Sequence, residues 1–392
     1  MKKTEIDKMK PAFVTPKQRR AWRLAQRIVA PVMARKYNFI FDQIGMDGPF
    51  LLVANHACNV DPILVSLSSR DKPLSFVASE HLERLGALTK LLTSNFSVIP
   101  RKKASSAADT VKSVLRALKQ GASVVLFAEG ECTWDGVSAP VFPATGKLAK
   151  VCRVPLITYR LEGNYLSLPR WANAARKGRI RGQVVHRYSS EELAGMSAEE
   201  ITAAINRDIF EDAWETQRRV HAPFVSKSPA EGLEKALFIC PDCGKIGGLH
   251  TKGDAIFCDK CGMRVTLDGG SVPQSGRFST IREWDVWQQE ELLRRIGAGN
   301  GSAVLFPADG TLTDLNRGTK RKIRFHLDLV HGAMVIDGES VPFSEVSDMA
   351  MVKTNRLLFG RNGGYNEIMT KRGILRPYLL AKQIYLREKG KE

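Results

Sequence analysis

The stretch LLVANHACNVDPILV, residues 51–65, begins with an apolar run that ends at Asn55 and His56. Asp61 and a second apolar run complete it. Apolar runs of this kind are typical of strands buried in a parallel sheet. The segment therefore predicts an imidazole and a carboxylate close to the end of a buried strand.

Short apolar runs recur through the first half of the chain. They read PFLLVAN, LSFVAS, NFSVIP, SVVLFAEG and VPLITYRLEG, and helical patterns alternate with them, such as residues 105–120 with Gly121 beyond. This alternation predicts an α/β domain with a mostly parallel sheet flanked by helices. A helical stretch over residues 194–219, opened by a capping box between Ser197 and Glu200, is expected to complete that domain.

The composition favours an anionic partner. The chain has 392 residues, enough for two or three domains, and carries a formal charge of +18. Nucleic acid, an anionic lipid surface and phosphorylated substrates all fit this charge. The N-terminal residues lack the apolar core of a signal peptide, and no apolar run approaches the roughly 18 residues of a spanning helix. We therefore expect a cytoplasmic protein, peripheral at the inner face of the cell membrane.

Three strand ends carry polar residues. Asn55, His56 and Asp61 follow one strand, Pro100-Arg101-Lys102-Lys103 follows another, and Glu129-Gly130-Glu131 follows a third. Ligands in parallel α/β sheets bind beyond the carboxyl ends of the strands. The pattern predicts a catalytic crevice at this edge.

Four of these segments together resemble the glycerolipid acyltransferases, the lysophosphatidate acyltransferase family. NHACNVD resembles its His-x4-Asp motif, SVIPRKK its Arg-bearing second block, LFAEG its Phe-Pro-Glu-Gly block and VPLITYRL its Val-Pro block. The order and spacing match over about residues 20–220. The resemblance implies the glycerolipid acyltransferase fold and transfer of an acyl group from a thioester to an alcohol.

The resemblance also implies roles for individual residues. His56 is the expected general base, because an imidazole titrates near neutral pH, and Asp61 is expected to hold its other nitrogen. No covalent acyl-enzyme is required, and Cys58 is interpreted as a packing residue. The acceptor-binding residues implied by the match are Asn55, Arg101, Glu129 and Gly130.

Two departures concern the third block. The family continues it with Gly-Thr-Arg or Gly-Asn-Arg, whereas this chain has Gly130-Glu131-Cys132, and Ala128 replaces the common proline. The arginine that would help to bind an acceptor phosphate is missing. The acceptor can therefore be a lysophospholipid or another amphiphilic alcohol.

Four cysteines form a second motif. Cys240 and Cys243 are followed, after fourteen residues, by Cys258 and Cys261, and each pair ends in Cys-Gly as in zinc ribbons. This spacing predicts a structural, four-thiolate Zn²⁺ site with no open position. Two redox-active dithiols are the alternative.

The predicted organisation has four parts. They are an N-terminal amphipathic helical segment (1–45), an acyltransferase domain (46–225), a zinc ribbon (236–270) and a small β-rich C-terminal domain with a terminal helix (277–392). The first helix is expected over residues 15–34, either packed on the domain or lying in a membrane interface with Trp22 at headgroup depth. Its predicted apolar face comprises Ala21, Trp22, Ala25, Ile28, Val29, Val32 and Met33.

The preferred function is an O-acyltransferase of phospholipid biosynthesis. It would take the acyl group from acyl-CoA or acyl carrier protein, as co-substrate, to a lysophospholipid-like acceptor of the 1-acylglycerol-3-phosphate type at an anionic membrane surface. One alternative is a zinc-ribbon protein that binds nucleic acid or lipid and has an inactive acyltransferase domain. Against nucleic-acid binding, the ribbon is not especially basic and lacks the interleaved aromatic and basic residues of single-strand binding. The other alternative is a hydrolase of thioesters or lysolipids.

Overall fold

The structure is a computed structural model that describes residues 16–70, 72–79, 97–101, 107–298 and 305–388. The chain divides into two compact units. Unit 1 holds Met1–Pro169 and Arg176–Phe224, and unit 2 holds Arg170–Ala175 and Val225–Glu392. The borders predicted from the sequence within these units stay predictions.

Strands and helices alternate through unit 1. In chain order the described elements are α1 (Pro16–Lys36), β1 (Phe39–Phe41), β2 (Leu51–Ala54), α2 (Asp61–Leu67), β3 (Leu74–Ser79), β4 (Ser97–Arg101), α3 (Ala107–Lys119), β5 (Ser123–Phe127), α4 (Ala144–Cys152), β6 (Leu156–Glu162), α5 (Asn164–Ser167), β7 (Ile180–Tyr188), α6 (Ser190–Gly195), α7 (Ala198–Ile209) and α8 (Ala213–Val220). The predicted α/β class is confirmed, and β2 to β6 coincide with the five apolar runs.

The described strands of unit 1 form one seven-stranded sheet in the order β1-β7-β6-β2-β5-β3-β4. β2 is parallel to β5 and β6, and β3 is parallel to β5 and β4. Only β7 and its parallel neighbour β1 run the other way, since β7 is antiparallel to β6. The mostly parallel sheet is therefore confirmed, and β2, which leads to His56, is its middle strand.

Both faces of this sheet are covered. Leu51 and Val53 of β2 belong to an apolar cluster with residues of α3, α4 and α7, whereas Leu52 and Ala54 belong to a second cluster with residues of α2. Successive side chains of a strand point to opposite faces. A strand with helices on both sides needs apolar residues at every position, which explains its uninterrupted apolar sequence.

Helix α1 contacts the rest of unit 1 through only part of the predicted face, since Trp22 is buried and Ala21, Ala25 and Met33 are half-buried. Trp22 is buried and its Nε1 donates to the Ser69 carbonyl at 2.9 Å, and Ala30 is buried eight residues further on. Ile28, Val29 and Val32 of the predicted face are exposed. Apolar residues occur on more than one side of α1, so their spacing did not distinguish the packed side.

Unit 2 is rich in strands, as predicted. Its described elements are β8 (Leu249–Lys252), β9 (Ala255–Cys258), β10 (Arg264–Thr266), α9 (Ile281–Ala298), β11 (Leu305–Asp314), β12 (Lys320–Asp328), β13 (Ala333–Ile336), β14 (Glu339–Pro342), β15 (Ser347–Val352), β16 (Arg356–Arg361), β17 (Gly364–Met369) and α10 (Arg376–Glu388).

The strands of unit 2 form two sheets within the described residues. A three-stranded sheet, β10-β9-β8, lies beside the cysteines, and a seven-stranded antiparallel sheet has the order β14-β13-β12-β11-β17-β16-β15. The buried Arg376 of α10 donates to both carboxylate oxygens of Asp285 in α9, at 2.6 and 2.7 Å, and so joins the two helices. Across the described parts of both units, every helix is too short or too polar to cross a bilayer.

Candidate active site

Asp61 is the centre of the polar contacts beyond β2. It is the first residue of α2 and is fully buried. One carboxylate oxygen, Oδ2, accepts from the backbone N–H groups of Ala57 and Cys58 at 2.7 and 2.8 Å, and from the His56 ring at 2.9 Å. The other, Oδ1, accepts from Asn164 Nδ2 at 2.9 Å. These donors compensate the burial of a charged group and fix its position.

His56 is held on three sides. Its Nδ1 faces Asp61, its ring stacks on Phe127 with centroids 4.4 Å apart, and its backbone N–H donates to Glu129 Oε1 at 2.6 Å. The side chain remains 18% exposed. Because a carboxylate only accepts hydrogen bonds, Nδ1 carries a proton and Nε2 is the nitrogen left to accept one.

The electrostatic surroundings favour the charged form of His56. Burial opposes a positive charge on the ring, but the adjacent Cys132 and Asp61 outweigh burial and raise the pKa of His56 well above 6.5. A carboxylate beside one ring nitrogen favours the charged form of a histidine. The surroundings of the ring therefore favour its uptake of a proton.

Two cysteines contact this pair. Cys58 is buried and its Sγ donates to Asp61 Oδ1 at 2.9 Å. Cys132 lies on the other side, with its Sγ 3.3 Å from His56 Nε2. Sequence reasoning discussed Cys58 because it lies inside the first motif, and treated Cys132 only as the place of a missing arginine.

Asn55 joins two strands. Its Nδ2 donates to the Leu161 carbonyl at 2.9 Å, and its Oδ1 accepts from the Leu161 N–H at 2.7 Å. Both polar atoms of the side chain, which is buried, are thus bonded to the backbone of β6. The amide extends the hydrogen bonding between β2 and β6 by one residue and sets the direction in which the chain continues to His56.

Glu129 and Gly130 shape the neighbouring loop. The buried Glu129 accepts from the N–H groups of His56 and Ala139, at 2.6 and 2.8 Å, and burial raises its pKa to about 7. Gly130 has φ +87°, and a Cβ there would lie 2.8 Å from the Phe142 ring. This position therefore requires glycine.

Arg101 is the last residue of β4, whose carboxyl end lies at the same edge of the sheet as those of β2 and β5. Its side chain, and the whole of Lys102 and Lys103, lie outside the described residues. Asn164, which sequence reasoning missed, follows β6 at this edge. The sequence feature that could have indicated it is a polar residue, separated from the end of β6 at Glu162 by Gly163 alone.

The four predicted metal ligands lie together in unit 2. The sulfur atoms of Cys240, Cys243, Cys258 and Cys261 lie within 4.8 Å of one another. Two of the pairs, Cys240–Cys261 and Cys243–Cys258, have Sγ–Sγ distances of 3.6 and 3.7 Å. Four sulfurs arranged tetrahedrally around Zn²⁺, each about 2.3 Å from it, would be about 3.8 Å apart.

Two sequence comparisons match acyltransferases. Residues 34–162 match the model of a family described as Acyltransferase. The probable 1-acyl-sn-glycerol-3-phosphate acyltransferase of Mycoplasma genitalium is 32% identical over 129 residues, which are 31% of this chain and 47% of that protein. The chain thus spans about half the length of this curated relative.

A solved structure also aligns with the chain. The 1-acyl-sn-glycerophosphate (LPA) acyltransferase PlsC from Thermotoga maritima aligns with a TM-score of 0.43 and 15% identity, over 54% of this chain and 86% of that one. The family match covers β2, His56, Asp61 and the strands through β6. The match to the acyltransferase family thus lies in unit 1 and includes the strand end that carries His56 and Asp61.

Proposed function

We propose that this protein is an O-acyltransferase of phospholipid biosynthesis that moves a fatty acyl group from acyl-CoA or acyl carrier protein to a hydroxyl of a lysophospholipid-like acceptor. The acceptor is of the 1-acylglycerol-3-phosphate type. The observation that carries the proposal is the hydrogen bond of 2.9 Å between His56 Nδ1 and Asp61 at the end of the middle strand. The name of the Mycoplasma genitalium relative supports the same substrate class.

The chemistry follows from the two nitrogens of His56. Asp61 keeps the proton on Nδ1, so Nε2, which lies 3.3 Å from the Cys132 Sγ, is the nitrogen that takes the proton of an attacking hydroxyl. The C–S bond of the donor thioester then breaks, and His56 returns the proton to the departing thiolate. Asp61 stabilises the imidazolium between these two steps.

Asn55 and Glu129 have positioning roles in this proposal instead of binding the acceptor. The side-chain oxygens and amide of these residues are bonded to the backbone of Leu161, His56 and Ala139. Arg101 stays the proposed ligand of the acceptor phosphate, because a guanidinium can bind two phosphate oxygens at once. Gly130 provides the turn on which the third block depends.

Zn²⁺ is the proposed structural metal of unit 2. The four-thiolate set suits zinc, and two of the sulfur separations, 3.6 and 3.7 Å, agree with the tetrahedral value of about 3.8 Å. With four protein ligands the metal would have no open position for a substrate. It would join the segment before β8 to the end of β9 and the turn that follows.

Helix α1 is the proposed contact with an anionic membrane surface. Leu24, Ile28 and Val32, spaced four residues apart, are 59%, 60% and 63% exposed. Exposed arginines, Arg20 and Arg27 among them, lie on the same helix. Apolar residues beside cationic ones are typical of helices that lie in a membrane interface.

The membrane contact is tested with vesicles. The full chain should float with vesicles of phosphatidylglycerol more than with vesicles of phosphatidylcholine, and Ile28→Glu should reduce that binding. Val225→Glu, which changes an equally exposed apolar residue of unit 2, is the matched control. Equal binding by both variants and the unaltered chain would contradict the role of α1.

The transferase is tested with labelled acyl-CoA and labelled acyl carrier protein, each mixed with a lysolipid extract and analysed by lipid mass spectrometry. We expect a new acylated lipid, and a fall in kcat of about 10²- to 10⁴-fold in His56→Ala. His221→Asn is the control, because His221 caps α8 in the left-handed conformation that asparagine also adopts. Labelled free fatty acid without a new ester would instead identify a hydrolase and overturn the proposal.

A further inference from the structure

A basic cleft of unit 1 lies beyond the carboxyl end of β6. Its volume is about 60 Å³, several times the space of about 10–15 Å³ that one water molecule needs. The end of β6, helix α5, the start of β7 and helix α8 with the turn after it all contribute to its lining. The charged side chains of this lining are Arg179, Arg181, Arg219 and Glu162. Three cations and one carboxylate give the cleft a net positive charge.

Arg179 and Arg181 lie on the same side of the start of β7. Arg179 directly precedes the strand and Arg181 is its second residue, while Ile180 between them is buried. Both arginines are exposed. Within the residues that the structure describes, neither of them forms an ion pair with a carboxylate of the protein. Two guanidinium groups of the cleft are therefore available to an anion from solution.

The carboxylate of the cleft is already shared among protein groups. Glu162 Oε1 accepts a hydrogen bond from Gln183 Nε2 at 2.9 Å. The same oxygen lies 3.4 Å from Arg160 Nε and 3.8 Å from Arg219 Nη2. Its negative charge is thus directed to these neighbours, and the positive charge of the other two arginines is left uncompensated.

One turn joins the cleft to the candidate active site. Gly163 lines the cleft and directly precedes Asn164, whose side chain donates to Asp61 at 2.9 Å. Gly163 has φ +75°, and a Cβ there would lie 2.3 Å from the Arg179 carbonyl oxygen. This position therefore requires glycine, because the backbone of Arg179 packs directly on the turn that carries Asn164. The cleft and the His56–Asp61 pair are neighbours at the same edge of the sheet.

The order of the strands separates this cleft from Arg101. β7 lies two strands from β2 in one direction, whereas β4, which ends at Arg101, lies three strands from β2 in the other. In the proposed function Arg101 binds the phosphate of the acceptor. The cleft on the opposite side of β2 is therefore available to the second substrate, which is the acyl donor.

We propose that this cleft binds the phosphates at the nucleotide end of an acyl-CoA donor through Arg179, Arg181 and Arg219. The inference rests on the proposed acyltransferase function and deepens it, because it selects CoA over acyl carrier protein. The nucleotide end of CoA carries a phosphate monoester and a pyrophosphate, whereas the phosphodiester of a carrier protein has a single negative charge. A guanidinium can bind two oxygens of one phosphate, so three arginines suit the more highly charged group.

Binding is tested by calorimetry of the full chain with adenosine 3′,5′-bisphosphate, an unreactive analogue of the nucleotide end of CoA. We expect Arg179→Gln/Arg181→Gln to weaken binding about 10-fold or more, because charge-assisted hydrogen bonds are lost. Arg116→Gln/Lys119→Gln is the matched control and should bind like the unaltered chain. It removes two exposed cations from the end of α3 that leads to the opposite edge of the sheet. Equal affinities of the two double variants would overturn the inference.

Kinetics test the same cleft during transfer. The unaltered chain should have a lower KM for acyl-CoA than for acyl-dephospho-CoA, which lacks the 3′-phosphate. Arg179→Gln/Arg181→Gln should raise the KM for acyl-CoA about 10-fold and abolish this preference, while kcat and the KM of the acceptor stay nearly unchanged. Arg179→Lys/Arg181→Lys should keep part of the preference, because it keeps both charges.

The outcomes separate this inference from the proposed function. Transfer with an unaltered preference for acyl-CoA in Arg179→Gln/Arg181→Gln would overturn the cleft and leave the transferase standing. A rise confined to the KM of the acceptor would overturn the assignment to the donor. If the unaltered chain transfers no acyl group but binds adenosine 3′,5′-bisphosphate through the two arginines, the cleft is supported and the transferase is overturned.

Discussion

The two candidate sites gather their polar side chains in different ways. In unit 1, the buried Asp61 accepts hydrogen bonds from His56, from Asn164 and from two backbone N–H groups, so the protein itself compensates the charge. In unit 2, four cysteine sulfurs lie within 4.8 Å of one another. Thiolates at that separation repel each other unless a cation lies among them. Hydrogen bonds within the folded chain thus hold the side chains of the first site in place. At the second site, a bound cation is expected to stabilise the fold around the cysteines.

Removal of the metal should produce the largest effect. A four-thiolate zinc site contributes about 10 kcal/mol or more of binding free energy that is also folding free energy. After chelation, we expect hydrogen exchange to accelerate across residues 237–266, while the amides of β2 and β5 keep their protection. Equal hydrogen-exchange rates across residues 237–266 with and without chelator would contradict a structural metal. The contrast between the two sites would then be lost.

Asp61→Asn tests the other side of the comparison. The amide has nearly the same size, but it can present an N–H to His56 Nδ1 and so favour the wrong tautomer. We expect kcat to fall by about 10³- to 10⁴-fold. Zinc content and the protection of residues 237–266 should be unchanged. Activity close to that of the unaltered chain would show that Asp61 does not orient the base.

A glutamate of unit 1 gives a pH-dependent test. Glu211 is buried, burial raises its pKa from 4.5 to about 7, and its Oε1 has no hydrogen-bond partner in the described part of the chain. The folded state therefore holds a proton between pH 4.5 and 7 that the unfolded state has lost. The free energy of unfolding falls as pH rises through this range, by up to about 3 kcal/mol.

Glu211→Gln should remove that dependence. Denaturant unfolding should show the variant to be more stable than the unaltered chain at pH 8, and little different at pH 4.5. Glu129, whose pKa is also raised to about 7, has both carboxylate oxygens bonded to N–H groups. Glu129→Gln should therefore destabilise at pH 8, since an amide cannot accept on both sides. A stabilised Glu129→Gln would contradict this distinction.

Asn164→Ala should have the smallest effect. It removes one hydrogen bond to the buried carboxylate of Asp61, worth about 2 kcal/mol, and allows His56 to move. We expect kcat to fall about 10-fold. Asn206→Ala is the control, because it removes a hydrogen bond of unit 1 that lies outside the site, from the Val141 N–H. It should lower stability and leave kcat unchanged.

The sequence was sufficient for the elements that have a local signal. β2 to β6 are apolar runs, and Ser197 and Glu200 form the predicted capping box at the start of α7. The spacing of the four cysteines also indicated a cluster that the structure brings together. Each of these features depends on residues close together in the chain.

Features that depend on distant contacts could not be predicted. β1 has only three residues, and β7 has a mixed burial pattern, so neither has an apolar run. The packed face of α1 depends on where Ser66 and Ser69 lie. Asn164 and Asp61 are 103 positions apart, and Cys132 and His56 are 76 apart. No local pattern brings such pairs together.

The bond between Asn164 and Asp61 has a consequence for anyone who trims the protein. The family match ends at residue 162, two positions before Asn164, and begins at residue 34, after Trp22. A fragment cut at those limits would contain all four acyltransferase-like motifs yet lose the amide that holds the Asp61 carboxylate and the indole that joins α1 to Ser69. Recombinant expression should therefore start before residue 16 and continue beyond α8. The segment that matches the family is shorter than the segment that carries all the residues holding the site.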